Sequence, residues 1–266
     1  MARTALLNVM VQAVLKAGRG LARDFGEVEN LQVSLKGPGD FVSAADRRAD
    51  QVLIAELTKA RPAYGFLTEE SGVIAGSDSS HRWIIDPLDG TTNFLHGIPL
   101  FAISLALERD GQLVAGVIFN PVMNELYVAE KGGGAFLNDH RLRVAARRDL
   151  ADCVISTGLP GISKRGDATS IPEINMMMPR VAGLRRSGSA ATDMAWVASG
   201  RFDGYWERGV KPWDLAAGVV LIREAGGTVT DVTGKDDMFA TGSVVAGNQA
   251  VHAALIGNIA AARQPA

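Results

Sequence analysis

Cysteine and histidine are scarce in this sequence. The chain of 266 residues contains one cysteine, Cys153, and four histidines, which do not have zinc-finger spacing. A single cysteine cannot form an intramolecular disulfide, and isolated histidines do not supply the paired ligands of a structural zinc site. Disulfide scaffolds and zinc fingers are therefore excluded, and a reducing, cytoplasmic location is expected.

A surplus of basic residues and a long apolar run are also missing. Lysine and arginine together number 27, against 29 aspartates and glutamates. This balance does not favour general nucleic-acid binding, and no direct nucleic-acid partner is expected. No stretch approaches the roughly 18 apolar residues of a membrane span, so no membrane partner is expected. The segment 1–20 contains regularly spaced polar residues and is interpreted as an amphipathic helix, with a targeting sequence as the minor alternative.

What is present is the composition of an ordinary globular enzyme, with 47% hydrophobic and 21% charged residues. The chain is long enough for one large domain or two closely packed halves. Segments with helical spacing and short β-rich segments both occur, which predicts a mixed α and β chain. The boundary is placed near residue 145, giving an N-terminal half, 1–145, and a C-terminal half, 146–266.

Hydrophobic spacing and turn residues predict the individual elements. The glycine-containing segment 36–40 is predicted to be an exposed loop, and the apolar segments between 101 and 144, divided by turns, predict an antiparallel meander. Helices are predicted at 44–60, 171–182, 190–199, 215–225 and 250–262. Further strands are predicted at 65–68, 83–85, 152–157, 202–207, 228–232 and 243–247.

Acidic residues follow two of the predicted strands. Glu69 comes directly after strand 65–68, and Asp86 and Asp89 follow strand 83–85 in a turn that contains proline and glycine. Carboxylates that lie close together repel one another, so such a group needs a cation, and all-oxygen ligands suit Mg²⁺. The same two aspartates also suit the cap of a turn and a following helix, and their spacing alone leaves both interpretations open.

The residues that follow Asp89 suit an anion. Gly90 and Thr91 lie where a helix can begin, and backbone N–H groups at a helix start can bind phosphate. A further acidic residue, Asp214, precedes the predicted helix 215–225. It is interpreted either as a helix N-cap or as a further ligand of the acidic site.

Four separate motifs carry a resemblance to a known family. WIIDPLDGTTNF at 83–94 and WDLAAGVVLIREAGG at 213–227 are similar to the two signature stretches of the inositol monophosphatase family. TEES at 68–71 and DFVSAAD at 40–46 match its other motifs, in the same order and at similar separations. The resemblance covers nearly the whole chain. It implies a layered αβαβα fold of the α+β class, and a metal-dependent, lithium-sensitive phosphomonoesterase that is usually a homodimer.

The resemblance also implies which residues bind metal. Glu69, Asp86 and the carbonyl of Leu88 would bind a first Mg²⁺, and Asp86, Asp89 and Asp214 would bind a second. A third, looser ion near Glu69 is common in the family. Two to three Mg²⁺ ions per site are therefore expected.

The catalytic residues implied by the resemblance are Asp46, Glu69 and Thr91. Thr91 and Asp46 would orient the attacking water and help to deprotonate it, and the amides of Gly90 and Thr91 would receive the phosphate. Because a phosphate monoester dianion repels hydroxide, metal ions are needed to neutralise its oxygens and to acidify water. Direct in-line attack of water follows, without a phosphorylated enzyme.

A covalent nucleophile is not required by this chemistry. Ser71 and Cys153 are therefore interpreted as structural residues. The alcohol part of the substrate would contact the C-terminal half, where Glu207 would accept hydrogen bonds from vicinal hydroxyls. Glu207 in an exposed loop would equally be a solvated charge. The full substrate-binding set implied by the resemblance is Asp89, Gly90, Thr91, Gly188, Ser189, Ala190, Glu207 and Asp214.

The identity of the substrate stays open at this point. Inositol monophosphate and related polyol phosphates are expected first. Relatives with similar metal residues hydrolyse fructose 1,6-bisphosphate, histidinol phosphate or phosphorylated adenosine nucleotides. Lys36 occupies the position of a lysine that in relatives lies on a loop near the metals, where it would steer phosphate, but a solvated loop lysine fits equally well.

A binding role is the alternative of a different class. Some bacterial proteins that resemble this chain act with the transcription machinery in antitermination of ribosomal RNA synthesis. A transcription-factor partner would find Arg185, Arg186 and Arg201 as contact residues. The same arginines also suit a solvated surface or a dimer interface.

Overall fold

The computed structural model describes residues 3–27, 33–37, 40–159 and 170–263, and these residues form eight α-helices and fifteen β-strands. The helices are α1 (Ala5–Phe25), α2 (Ala44–Ala60), α3 (Thr91–Leu95), α4 (Ser170–Met177), α5 (Ala190–Ala198), α6 (Pro212–Glu224), α7 (Met238–Thr241) and α8 (Gln249–Ala261). The strands are β1 (Val33–Gly37), β2 (Asp40–Ser43), β3 (Tyr64–Thr68), β4 (Gly72–Ile74), β5 (Asp78–Asp89), β6 (Ala102–Arg109), β7 (Gln112–Asn120), β8 (Glu125–Glu130), β9 (Gly134–Leu137), β10 (His140–Arg141), β11 (Val154–Thr157), β12 (Gly183–Arg185), β13 (Gly204–Arg208), β14 (Thr228–Thr230) and β15 (Ser243–Gly247).

Eight strands form one large sheet in the order β10-β9-β8-β7-β6-β5-β3-β4. From β5 to β10 every neighbouring pair is antiparallel, which confirms the predicted meander. β3 and β5 are parallel, with Thr68 opposite Ile85. The carboxyl ends of these two strands therefore meet at one edge of the sheet, where the acidic residues follow.

A second sheet of five strands has the order β12-β11-β13-β15-β14. β11 is parallel to β12 and β13, and β15 is antiparallel to β13 and β14. The large sheet uses residues up to Arg141 and the small sheet begins at Val154. The buried core between the sheets takes residues from both, such as Ile84 and Tyr205, and the division into halves at residue 145 stays a prediction.

Successive side chains of a strand point to opposite faces of its sheet, and the two sheets therefore separate three buried cores. In β5, Trp83 and Ile85 pack in a core with α1 and α2, whereas Ile84 faces a central core that includes α5 and α6. In β13, Tyr205 faces the central core and Trp206 faces an outer core with α4 and α8. The layers are thus α1/α2, large sheet, α5/α6, small sheet and α4/α8, which confirms the predicted αβαβα arrangement of the α+β class.

The amphipathic helix predicted at the N-terminus is α1. The hydroxyl of Thr4 caps it by accepting a hydrogen bond from the Leu7 N–H at 3.2 Å. Gly18 allows the helix to approach β7, since a Cβ atom there would lie 2.5 Å from the Phe119 ring. None of the described helices is long and apolar enough to cross a membrane.

Three predicted element boundaries are wrong. In the predicted loop 36–40, Lys36 and Gly37 belong to β1 and Asp40 to β2, which pair as an antiparallel hairpin, while positions 38 and 39 lie outside the described residues. The predicted helix 171–182 ends as an α-helix at Met177, because Pro179 disfavours helical backbone at the residue before it. The strand predicted at 83–85 spans Asp78–Asp89.

Candidate active site

The two acidic strand ends meet as the sequence predicts. The Glu69 N–H donates a hydrogen bond to the Ile85 carbonyl at 3.1 Å, so the end of β3 is joined to β5 one residue before Asp86. Beyond Asp86 the pairing of β5 with β6 is irregular: Asp86 lies opposite Ser104 and Asp89 lies opposite Ala102. This irregularity at Pro87 changes the course of the strand without ending it, so Asp86 and Asp89 lie within β5 and not in a turn after it.

Asp214 joins this edge from a distant part of the sequence. Carboxylate oxygens of Asp86, Asp89 and Asp214 all lie within 4.8 Å of one another. Asp86 is buried, and Asp89 and Asp214 are half-buried. Among the residues that the structure describes, these three acids form no ion pair with a lysine or arginine. Three carboxylates that face one another without a neighbouring cation fit a divalent ion.

The electrostatic strain appears in the pKa values of all three acids. Burial, and then the charges of Glu69, Asp89, Asp214 and Asp46, raise the pKa of Asp86 well above its ordinary value. Burial raises the pKa of Asp89 to about 6, against hydrogen bonds that lower it. Burial and the charge of Asp89 raise the pKa of Asp214. Protonation relieves this repulsion, and so would a bound cation.

Each of the three carboxylates is held through one oxygen. Oδ1 of Asp86 accepts from the Leu88 N–H at 2.9 Å. Oδ2 of Asp89 accepts from the Ser189 hydroxyl at 2.6 Å and the Ala191 N–H at 2.7 Å, at the start of α5. These bonds fix the orientation of each carboxylate and leave its other oxygen for a ligand.

Asp214 is held in the same way, but it is not the N-cap of α6. Lys211 is the N-cap residue, and Asp214 lies in the first turn, where its Oδ2 accepts from the Lys211 N–H at 2.7 Å. Only half of a capping box is present, because the lysine side chain cannot accept a hydrogen bond and the Asp214 N–H donates to the Lys211 backbone carbonyl at 3.1 Å instead. The two interpretations of Asp214 therefore do not exclude each other, because one oxygen caps the helix and the carboxylate also faces Asp86 and Asp89.

Asp46 and Glu69 lie beside these three acids. Asp46 is buried in the first turn of α2, and its charge raises the pKa of Asp86. Glu69 is half-buried and acts on Asp86 more strongly. The structure thus brings five predicted acids to one edge of the large sheet.

The turn after Asp89 is the place where an anion-binding backbone was predicted. Gly90 adopts φ of +95°, and a Cβ atom there would lie 2.9 Å from the Leu100 carbonyl, so glycine is required. The Thr91 hydroxyl donates to the Leu88 carbonyl at 3.0 Å. A carbonyl oxygen has two lone pairs, so Leu88 can accept this bond and still offer a ligand atom.

The alcohol wall, residues 188–190, which the resemblance implies as a contact for the alcohol part of the substrate, lies against this turn. Ser189 caps α5, and its Cβ is 3.2 Å from the position of a Cβ at Gly90. Gly188 adopts φ of +86° beside the Asn93 amide, which would be 3.0 Å from a Cβ atom there. Ala190 begins α5 and is buried. The segment of residues 188–190 therefore borders both Asp89 and Gly90.

A model of one protein family matches nearly this entire chain. The inositol monophosphatase family model aligns with residues 2–264. The chain belongs to this family.

Individual relatives agree with that membership. An inositol-1-monophosphatase of Mesorhizobium japonicum is 64% identical over 96% of this chain and 96% of its own length. The extragenic suppressor protein SuhB of Bartonella henselae has a crystal structure that matches with a TM-score of 0.94 and 57% identity, covering 96% of this chain and 98% of that chain. The Nus factor SuhB of Escherichia coli is 43% identical over 96% of this chain and 95% of its own length.

Glu207 is placed differently from the exposed loop that was considered for it. It lies half-buried in β13, beside Gly158, where no Cβ atom would fit, and it accepts a hydrogen bond from the Tyr205 hydroxyl. Its charge raises the pKa of Asp214 and of Asp193. Glu207 therefore lies close enough to the acidic site for its charge to act on Asp214.

The two residues interpreted as structural have structural contacts. The Ser71 hydroxyl donates to Oδ2 of Asp50 at 2.5 Å, and its N–H donates to the Thr68 hydroxyl at 2.8 Å. Cys153 is buried, its thiol donates to the Asp149 carbonyl, and burial raises its pKa to about 11. A thiol with that pKa is a poor nucleophile at neutral pH.

Two residues of the site were missed by sequence reasoning. The Asn93 amide donates to the Leu100 carbonyl at 2.6 Å and to the Ser187 carbonyl at 2.7 Å, which ties the turn after Asp89 to the alcohol wall. The Ser187 hydroxyl donates to the buried carboxylate of Asp193 at 2.5 Å. Asn93 lies inside the quoted signature and offered a signal, whereas Asp193 resembles any polar residue in the first turn of a helix.

The arginines considered as partner contacts differ from one another. Arg201 donates to both oxygens of Glu125, at 2.9 and 2.6 Å, and lies over the Trp196 ring, so it is used within the chain. Arg185 and Arg186 are exposed. Lys36 lies in β1, outside the residues whose side chains are described.

Proposed function

We propose that this protein is a Mg²⁺-dependent phosphomonoesterase that hydrolyses inositol monophosphate and related polyol phosphates. The observation that carries the proposal is the group of Asp86, Asp89 and Asp214, whose oxygens lie within 4.8 Å of one another. Family membership and the relative named inositol-1-monophosphatase support the same activity.

Two to three Mg²⁺ ions would be held by these acids. Glu69, Asp86 and the Leu88 carbonyl would hold one ion, and Asp86, Asp89 and Asp214 would hold a second, with a third near Glu69. When bound, divalent ions neutralise phosphate oxygens and acidify water. The protein's part is to hold the carboxylates in place through the bonds from Leu88, Ser189, Ala191 and Lys211.

The attacking water would be positioned by Thr91 and Asp46. Because the Thr91 hydroxyl gives its hydrogen to the Leu88 carbonyl, its oxygen can accept a hydrogen bond from water. The buried carboxylate of Asp46 would take up the proton. The amides of Gly90 and Thr91 would donate to the phosphate, and no covalent nucleophile is needed.

The alcohol would lie between the wall at 188–190 and Glu207. A carboxylate can accept hydrogen bonds from two vicinal hydroxyls, which suits a polyol. Tyr205 already donates to Glu207 and orients it. Replacing Glu207 by glutamine should therefore weaken the binding of polyol phosphates more than the binding of a phosphate ester that lacks hydroxyls.

Phosphate release from a panel of esters tests the proposal. Inositol 1-phosphate, glycerol 2-phosphate, fructose 1,6-bisphosphate, histidinol phosphate and adenosine 3′,5′-bisphosphate would be compared with and without Mg²⁺. We expect Mg²⁺-dependent turnover that is best with inositol 1-phosphate, inhibited by Li⁺, and lost in Asp89→Asn. Asp231→Asn is the matched control, since Asp231 is also a buried acid but lies outside the site. Absence of turnover on every ester would overturn the proposal.

A binding role in transcription is the second candidate, and the similarity to the Nus factor SuhB of Escherichia coli favours it. Arg185 and Arg186 are exposed and available for a partner, whereas Arg201 is already engaged by Glu125. Affinity purification of wild type and Asp89→Asn from the native cell separates the roles. Transcription proteins that co-purify with both wild type and Asp89→Asn would support a binding role that does not depend on catalysis. If neither protein retains them, the binding role is ruled out.

The proposed enzyme acts in the cytoplasm as a homodimer. The single, buried Cys153 suits a reducing compartment. Light scattering at several concentrations tests the oligomeric state, with twice the chain mass of 28.1 kDa expected. A monomer at all concentrations would overturn the dimer.

A further inference from the structure

A second cavity lies at the opposite end of the large sheet from the acidic site. It has a volume of about 290 Å³ and is bordered by the start of β3 and β5, the end of β6 and the first turn of α1. Four of its lining residues carry basic or titratable nitrogen: Arg61, His81, Arg109 and Lys131. Tyr64 adds an aromatic ring and a hydroxyl, and Glu130 is its one acidic lining residue among those described.

The cross-strand pairing at this cavity is unusual in charge. One rung of β5 and β6 pairs Arg82 with Glu108, which form an ion pair at 3.0 Å. The next rung pairs His81 with Arg109, so two nitrogen bases lie opposite each other. Opposite charges across a strand pair stabilise a sheet, and Arg109 has no acid opposite it. The rung that lines the cavity therefore lacks the acid that its neighbour has.

The two arginines of the cavity have no carboxylate partner among the described residues, whereas His81 is paired with Asp78. Within the described residues, neither Arg61 nor Arg109 forms an ion pair, and Arg61 donates only to the adjacent Ala60 carbonyl at 2.8 Å. The amine of Lys131 donates to the side-chain oxygen of Gln112, which is uncharged. Glu130 accepts from the Thr4 hydroxyl. Positive charge thus exceeds negative charge around the cavity.

His81 is held in a fixed orientation toward this site. Its Nδ1 lies 2.8 Å from Oδ2 of Asp78, and its ring stacks on Tyr64 with centroids 4.3 Å apart. Asp78 is saturated, because its Oδ1 also accepts from the N–H and hydroxyl of Ser80. The contact with Asp78 leaves Nε2 of His81 for another partner.

We propose that this cavity binds a small phosphate-bearing anion. Two arginines without carboxylate partners, an oriented histidine and a lysine match the charge and the several acceptor oxygens of a phosphate dianion. The apolar floor of Leu6, Leu107 and Val114 provides contact for the organic part of a phosphorylated small molecule. The site is separate from the acidic one, since Tyr64 and Glu69 mark opposite ends of β3.

Metal-free protein separates the two sites in a binding experiment. Without a divalent ion the acidic site repels phosphate, so inorganic phosphate added to EDTA-treated protein reports on the basic cavity alone. We expect phosphate to raise Tm and to bind by calorimetry, in wild type and in Asp89→Asn alike. Ribose 5-phosphate distinguishes two kinds of ligand for the cavity. Tighter binding of ribose 5-phosphate than of inorganic phosphate indicates a phosphorylated metabolite, and equal binding indicates the free phosphate ion.

Two charge-matched double variants decide the location. R61Q/R109Q should bind phosphate at least about tenfold more weakly. R19Q/R148Q removes the same charge from exposed positions outside the cavity and should bind like wild type. The single variant Arg109→Gln, at an exposed strand end, serves if the first double variant does not fold. Absence of phosphate binding by metal-free wild type, or equal binding by R61Q/R109Q, would overturn the proposal.

Discussion

Buried acids occur in this protein in two different settings. Glu173 is buried in α4, but Arg208 donates to it at 2.9 and 2.7 Å and the Trp206 indole donates at 3.2 Å. Asp86 is equally buried, yet its charged neighbours are other carboxylates. Burial alone therefore does not mark a functional acid. The difference lies in whether the chain itself supplies the compensating positive charge.

Asp231 extends the comparison. Burial acts to raise its pKa, but hydrogen bonds from Lys235 and Thr233 outweigh that effect, and the pKa is lowered. In Asp86 burial and repulsion act in the same direction, and the pKa is raised. Asp231 is satisfied by its own turn, whereas the acids at the end of β5 have no lysine or arginine partner among the residues whose side chains are described.

The largest effect is expected on catalysis. Asp86→Asn should lower kcat/KM by about 10³-fold, because the loss of a metal ligand removes several kcal/mol of transition-state stabilisation. Asp231→Asn should change kcat/KM by less than about twofold, since it is far from the reacting atoms. Steady-state kinetics at saturating Mg²⁺ measures both. Equal losses in the two variants would contradict the distinction.

Loss of Glu173, the buried acid that is paired with Arg208, should lower the stability of the protein. Glu173→Gln should lower the free energy of unfolding by about 3 kcal/mol, because it leaves the poorly exposed Arg208 without its partner. Urea denaturation of metal-free protein measures this change. Glu125→Gln, which removes the partner of the more exposed Arg201, is the control and should cost less. A smaller loss in Glu173→Gln than in Glu125→Gln would contradict the expectation.

The pH dependence of metal-free protein should follow the raised pKa of Asp89. Its folded value of about 6 exceeds the ordinary value near 4, so the folded state holds a proton that the unfolded chain has released. The free energy of unfolding should therefore fall, by about 2 kcal/mol, as pH rises from about 4 to 6. Urea denaturation of wild type and Asp89→Asn over this pH range isolates the contribution of Asp89 to the fall in the free energy of unfolding. An unchanged slope in the variant would rule out Asp89 as its source.

The smallest expected effect is on the free energy of unfolding of Asp86→Asn, and its sign should be opposite to that of Glu173→Gln. In metal-free protein at pH 7, Asp86→Asn removes one acid from a buried group of carboxylates that repel one another, and it should raise the free energy of unfolding by about 1 kcal/mol. Saturating Mg²⁺ should reverse the order, because only wild type keeps the full ligand set. Thermal denaturation with and without Mg²⁺ shows whether the order changes. A variant that is less stable in both conditions would place Asp86 with the structural acids.

Much of the fold and the acidic part of the site could be predicted from sequence. The meander followed from hydrophobic spacing, and the αβαβα layers followed from the family resemblance alone. The meeting of Glu69 with Asp86 followed from two strands that end in acids, although their parallel pairing was not visible in the sequence. Asp214 required the resemblance, since nothing local distinguishes it from a capping residue.

The remainder depended on tertiary contacts. Glu207 was assigned to the alcohol by resemblance and lies in the predicted strand 202–207, but its proximity to Asp214 depends on tertiary packing that local polarity does not reveal. Asn93 donates a hydrogen bond to the Ser187 carbonyl, 94 positions away, and Asp193 accepts one from the Ser187 hydroxyl, 6 positions away. Neither bond follows the periodicity of a helix or a strand, so the sequence pattern does not reveal it. The hairpin formed by β1 and β2 was missed because its strands are only five and four residues long and the glycine-containing segment between them predicted a loop.

Anomalous diffraction from crystals soaked in Mn²⁺, a stand-in for Mg²⁺, tests the central claim most directly. The account predicts an anomalous peak between Asp86, Asp89 and Asp214, within about 2.5 Å of a carboxylate oxygen from each. The same soak of Asp89→Asn should lose that peak, while Asp231→Asn should keep it. An anomalous map without a peak among these three acids, in fully soaked wild-type crystals, would contradict the account.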